Sequence, residues 1–240
     1  MNGPFLNALG ILLGALLGLV RRAPLPARAQ SLFRTGLGAG TIFFGARLIL
    51  ESLGTGFLAG LKRLLLTVLA VVLGYWVGRL FQLQTLSNRV GRQAGRWITT
   101  AQTHPPGQPL PGLAACFLLF GAAPLGWLGA VENGFTGHYY LLAIKALMDA
   151  LAMAGFVKLF GWPAALAAFP VWGLFGLVTW LCQTVAAPFC VAHHWADSVT
   201  AAMGLAACLV SVVIFEVRKV ELANYLPAVL VAPVLAWLCG

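Results

Sequence analysis

Lys145 and Asp149 stand four residues apart in YLLAIKALMDALAMAG, a run that is otherwise apolar. On a helix that spacing puts both side chains on one face, within reach of each other. A charge in the middle of a membrane span costs roughly 2.5–3.5 kcal/mol on insertion scales, so such residues mark a transport pathway or a paired structural lock. Asp149 lies eleven residues beyond His138, about 16 Å along a helix at 1.5 Å per residue, which is near the bilayer middle. Two chemistries fit. In one, Lys145 pairs with Asp149 and releases it during ion or proton relay; in the other, a permanent salt bridge fixes the helix packing.

Upstream, GAAPLGWLGAVENGFTG interrupts an apolar span at Gly121–Pro124 and ends it at Glu132 and Asn133. Such a break either presents backbone carbonyls to a cavity facing Asp149, as discontinuous transporter helices do, or is an ordinary proline kink. Glu132 and Asn133 fit a cation-recruiting mouth or, more simply, a solvated turn, ENGFTG. Arg47 and Glu51 form a secondary polar pair at i,i+4, read as an anchor at the end of a span. The segment CQTVAAPFCVAHHWAD holds Cys182, Cys190, His193, His194 and Asp197, but its spacing fits no established metal site. No nucleotide loop, nucleophile–base pair or metalloprotease helix is present, so neither an enzyme nor a cofactor is expected.

The elements that position these residues follow from composition. Hydrophobic residues make up 60% of the 240 and charged residues 9%, against about a quarter charged in a soluble domain. Apolar runs near spanning length give an all-α, polytopic membrane protein with about eight transmembrane helices, near 4–20, 37–50, 57–80, 113–131, 139–157, 162–182, 201–215 and 222–239. Gly10, Gly14 and Gly18 recur at four-residue steps, a spacing that lets helices approach closely. Between spans three and four, Leu83, Leu86, Val90, Ala94 and Trp97 repeat on one face with Arg89, Arg92 and Arg96 elsewhere. That is an interfacial amphipathic helix, followed by the proline-rich linker TTAQTHPPGQPLPG.

The chain reads as one membrane domain in four segments: a first three-helix unit over 1–81, the amphipathic helix and linker over 82–111, a central broken-helix hairpin over 112–159, and a last three-helix unit over 160–240. Spans one to three and six to eight run in opposite directions, which allows an inverted repeat; laying 35–51 on 200–216 matches Thr35/Thr200, Ile49/Ile214 and Glu51/Glu216. The net charge of +9 reflects topology and contact with anionic lipid rather than nucleic acid. Eleven of the fifteen basic residues fall on one side of this arrangement and only Lys62 and Arg63 on the other. By the positive-inside rule both termini lie outside. The five cysteines form an odd set without framework spacing and are read as small hydrophobes.

With Pro124, Gly129, Gly134, Gly137, Lys145 and Asp149 laid out, the chain resembles the YdfK/YqgA-type family of uncharacterised bacterial inner-membrane proteins. That pattern has a Gly-Pro-broken span, then Gly–x–x–x–Asp–Gly–x–x–Gly–Asp, then Lys–Ser–x–x–Asp. Here Asn133 and His138 stand in place of acids and Ala146 in place of serine. The glycine-rich N-terminal spans and NYLPAVLVAP extend the resemblance over nearly the whole chain. It implies a bacterial inner (plasma) membrane. The functional expectation is a transporter or channel for a small ion or solute, centred on Asp149 and Lys145. Its rival is a non-transporting scaffold or regulator in which the pair is only structural. Glycine-rich faces also suggest a homodimer within the lipid bilayer.

Overall fold

A computed structural model describes residues 2–21, 26–54, 56–103 and 109–239. Arg22 and the prolines of the linker at 105–106 lie outside them. Among the described residues every regular element is helical: α1 (Asn2–Val20), α2 (Ala27–Leu53), α3 (Phe57–Leu80), α4 (Leu83–Thr103), α5 (Pro109–Gly121), α6 (Pro124–Thr136), α7 (Tyr140–Phe160), α8 (Ala168–Leu181), α9 (Ala187–Ala192), α10 (Ala196–Ile214) and α11 (Ala228–Cys239). Seven helical stretches are long and apolar enough to cross a membrane, and α5 with α6 supplies an eighth as a pair bent by 61°. The polytopic all-α fold expected from composition is the fold observed.

Several boundaries differ from the expectation for local reasons. α2 begins at Ala27, so Arg28 and Arg34 lie in its first turns rather than in a loop. Arg34 there pairs with Glu216 at 2.5 Å. A 3-10 stretch (Trp162–Ala167), α8, a π turn (Cys182–Ala186) and α9 form one continuous span from Trp162 to Ala192. The cysteine-bearing segment that follows Leu181 is therefore mostly helical. Pro227 and Pro233 both fall within the last span, Leu222–Cys239, Pro233 inside α11 itself. The described parts of the linker are helix, belonging to α4 and α5.

Small residues dictate which helices pair. The glycine stripe of α1 packs parallel to α7: a side chain at Gly10 would strike Ala146, one at Gly14 would strike the Ala150 backbone, and one at Gly18 would meet Ala154 and Val157. The partner face is also small at four-residue steps, Ala146, Ala150 and Ala154, so two backbones approach closely and gain van der Waals contact where lipid offers no hydrophobic drive. Gly45 and Gly204 join α2 to α10 in the same way, and Gly74 and Gly78 seat α3 on Ala228 and Asn224. These glycines are used within one chain.

Polar contacts between elements sort into two ends. At one end lie the α6–α7 turn, Lys62 with the Cys239 carbonyl (2.6 Å) and Arg63 with Asp197 (2.9 Å). At the other lie α4, Arg34–Glu216 and a reciprocal lock in which the Gln84 amide donates to Asn224 Oδ1 (3.0 Å) while Gln84 Oε1 accepts from the Ala223 amide (3.1 Å). α4 rests its Ala94, Trp97 and Ile98 on the core and leaves Arg89, Arg92 and Arg96 exposed, as its amphipathic pattern anticipates.

Candidate functional site

The break between α5 and α6 has a sequence cause. Pro124 has no amide proton to continue the α5 ladder and occupies the first turn of α6, where none is needed. The carbonyl of Gly121, left over by that break, accepts the indole N–H of Trp127 at 2.9 Å. Gly121 and Pro124 thus form a closed corner, and the Gly121 carbonyl is already engaged. α6 is held against α8 by Gly126 beneath Phe175, by the Thr179 hydroxyl donating to the Ala130 carbonyl (3.0 Å), and by Gly134 against Cys182 at the π turn.

Lys145 and Asp149 meet on α7 as the spacing required, the ammonium donating to both carboxylate oxygens. Both are buried, Lys145 2% and Asp149 4% exposed. The Phe120 ring of α5 lies 5.4 Å from the Lys145 nitrogen, giving the cation an aromatic face. Cys116, one turn back on α5 and fully buried, lies within electrostatic reach of Asp149. From α1, the Asn7 amide approaches Asp149 across the glycine seam. The pair is a sealed niche between α1, α5 and α7. Sequence reasoning passed over Asn7; its signal is a lone amide on the face that carries Gly3, Gly10 and Gly14.

Glu132 and Asn133 overturn the reading of a solvated turn. α6 continues through them to Thr136, and only Gly137 (φ 74°) and the two residues after it connect to α7. Glu132 is fully buried, and its Oε2 accepts the Leu141 amide at 3.0 Å. It caps the α7 N-terminus from a neighbouring helix, placing a carboxylate where the helix dipole favours one. Asn133 donates to the carbonyls of Gly137 (3.2 Å) and His138 (3.0 Å), fastening the turn. The motif residues around Gly134 and Gly137 shape this junction.

The Arg47–Glu51 pair closes at 2.6 Å and belongs to the same neighbourhood. The Arg47 guanidinium lies 5.2 Å over the Tyr140 ring, and Tyr140 stacks with Phe44 (4.5 Å) and His138 (4.9 Å). Glu51 is within electrostatic reach of Glu132. The structure therefore brings Arg47, Glu51, Glu132 and Asn133 together at the turn and sets Lys145 and Asp149 deeper along α7. Among the described residues no group of three or more His, Cys, Asp or Glu side chains is arranged to hold a metal.

The family described as "Protein of unknown function (DUF554)" matches residues 2–237. The chain is 28% identical over 233 residues to "Uncharacterized protein YqgA" of Escherichia coli (strain K12), covering 96% of this chain and 94% of the relative. It is 21% identical over 234 residues to "Uncharacterized membrane protein YdfK" of Bacillus subtilis (strain 168), covering 98% and 95%. No solved structure matches. The chain belongs to the DUF554 family.

Proposed function

We propose that this DUF554 member moves a small cation or proton across a bacterial plasma membrane, with Lys145–Asp149 as the closed state of its central site. The observation that carries the reading is the company the pair keeps. A lock needs only two satisfied partners, and a second buried carboxylate, Glu132, adds burial cost without adding to it. Here Glu132 and Asn7 are also wholly buried, and each retains polar atoms without a hydrogen-bond partner. Buried polar atoms in a folded protein are nearly always paired. A line of them leading toward an intramembrane ion pair fits a path that fills and empties better than it fits a scaffold.

In the closed state Lys145 neutralises Asp149. A cation or proton arriving at Asp149 replaces the ammonium as its counter-charge, and Lys145 turns toward the Phe120 face. The broken α5–α6 span is the irregular element beside this path, and such breaks are tolerated at membrane depth only inside protein or along a cavity. The charge distribution orients the molecule: Arg21, Arg28, Arg34, Arg79, Arg89, Arg92, Arg96, Lys158, Arg218 and Lys219 belong to the end that carries α4. That end is cytoplasmic, and the α6–α7 turn and both termini face outward.

The dry packing of the pair supports the rival, a scaffold that the pair merely locks. Ion flux into liposomes separates the two. Wild-type protein is expected to pass one member of a panel of protons, alkali cations and halides, and Asp149→Asn, reconstituted in equal amount, is expected to lose it. No flux above empty liposomes for any member of the panel would contradict ion translocation.

A further inference from the structure

Five buried side-chain atoms lack partners among the described residues: Asn7 Oδ1 and Nδ2, Glu132 Oε1, Asn133 Oδ1 and His138 Nδ1. They come from two stretches of sequence, α1 and the α6–α7 junction at 132–138. A side chain at Gly3 would lie 3.2 Å from the Asn133 Cγ, so Asn133 sits directly against α1 at Gly3. Asn7 is four residues further along that helix, on the same face and about 6 Å deeper, and it faces Asp149. The order from the turn inward is His138, Asn133 with Glu132, Asn7, Asp149.

The chemistry of the orphan atoms is lopsided. Three are oxygens that accept, on Glu132, Asn133 and Asn7, and one belongs to a carboxylate; Asn7 Nδ2 is the one obligate donor. Glu132 already spends Oε2 on the Leu141 amide, which leaves Oε1 without a partner. Glu132 and Asn7 are 0% and Asn133 6% exposed. An excess of buried acceptors calls for a positive, oxygen-seeking occupant.

We infer that Glu132 and Asn133 form a second binding site for a hard monovalent cation, a proton carried on water or a sodium ion, linked to Asp149 through the Asn7 amide. The inference deepens the translocation reading, since it supplies the step between the outer face and the central pair. Asn7 accepts the incoming charge on Oδ1 and hands it one helical turn down. It is a positioning residue for that transfer. The other charged and titratable groups facing the site are Arg47 and Glu51 from α2, His138 in the turn, and Lys145 and Asp149 below on α7.

Infrared difference spectroscopy of the purified full chain tests this without requiring transport. Two exchanges are made: choline for sodium at fixed pH, and a pH step in sodium-free buffer. One of them is expected to change a carboxyl band that disappears in Glu132→Gln, a variant that keeps an oxygen for the Leu141 amide. A sodium response names sodium and a proton response names the proton. Asn7→Leu is expected to weaken that response about tenfold in cation concentration, the size of one lost hydrogen bond to a charged partner, with partial recovery in Asn7→Ser, whose hydroxyl can hold a bridging water. Carboxyl bands that persist unchanged in Glu132→Gln, or respond to neither exchange, would overturn the site. A Glu132 response without any flux would leave this site standing and remove the translocation reading. Flux with a silent Glu132 would do the reverse.

Discussion

At the scale of single residues, the account turns on what each buried polar group does when its partner is removed. Asp149→Asn leaves the Lys145 ammonium 2% exposed and without its counter-charge, so the variant is expected to unfold about 3–5 kcal/mol more easily, measured by denaturation in detergent. Replacing both by apolar residues of similar volume, Lys145→Met with Asp149→Leu, is expected to fall within about 1 kcal/mol of wild type, because no charge is left buried. Trp127→Phe removes the donor that covers the Gly121 carbonyl and is expected to cost about 1–3 kcal/mol. The Lys145–Asp149 contact was legible because two opposite charges in an apolar run have little choice but each other. The burial of Glu132 was not, since ENGFTG has turn composition and only the α8 surface at Thr179 and Cys182 shows why α6 runs on. Asn7 was illegible for a related reason: nothing in its own helix says that Asp149 will face it.

At the scale of elements, close approach is the controlling variable, and glycines separate into those that are needed and those that are not. A methyl at Gly14 would collide with the Ala150 backbone, which has no flexible end to move aside. Gly14→Ala is expected to destabilise by about 1–3 kcal/mol and to separate α1 from α7, taking Asn7 away from Asp149. Gly155→Ala, on α7 with nothing within 4 Å, is expected to be neutral or to stabilise by about 0.5–1 kcal/mol through helix propensity. Thermal unfolding of the two variants side by side checks the contrast. The four-residue glycine step announced that α1 packs closely on something. It did not announce α7, because small-xxx-small faces occur on several helices of this chain and their matching is settled only when all are placed together.

At the scale of the whole molecule, the alternation of helices gives two ends that differ in charge, and the apolar spans and the amphipathic α4 could be read from the hydropathy pattern. Which helices lie side by side could not: α1 with α7, α2 with α10 and α3 with α11 join residues far apart in sequence, and apolar faces that look alike to lipid carry no address. Sidedness is open to direct labelling. In a cysteine-free background, Asn88→Cys on α4 is expected to react with an impermeant maleimide only after the cells are opened, and His194→Cys at the opposite end in intact cells. The reverse pattern would invert the proposed orientation. The central claim is that Lys145 and Asp149 act and do not merely lock, and flux through liposomes holding the Lys145→Met, Asp149→Leu protein meets it most directly. The account predicts a stable, correctly reconstituted protein that no longer passes the ion carried by wild type. Undiminished flux through that apolar pair would contradict it.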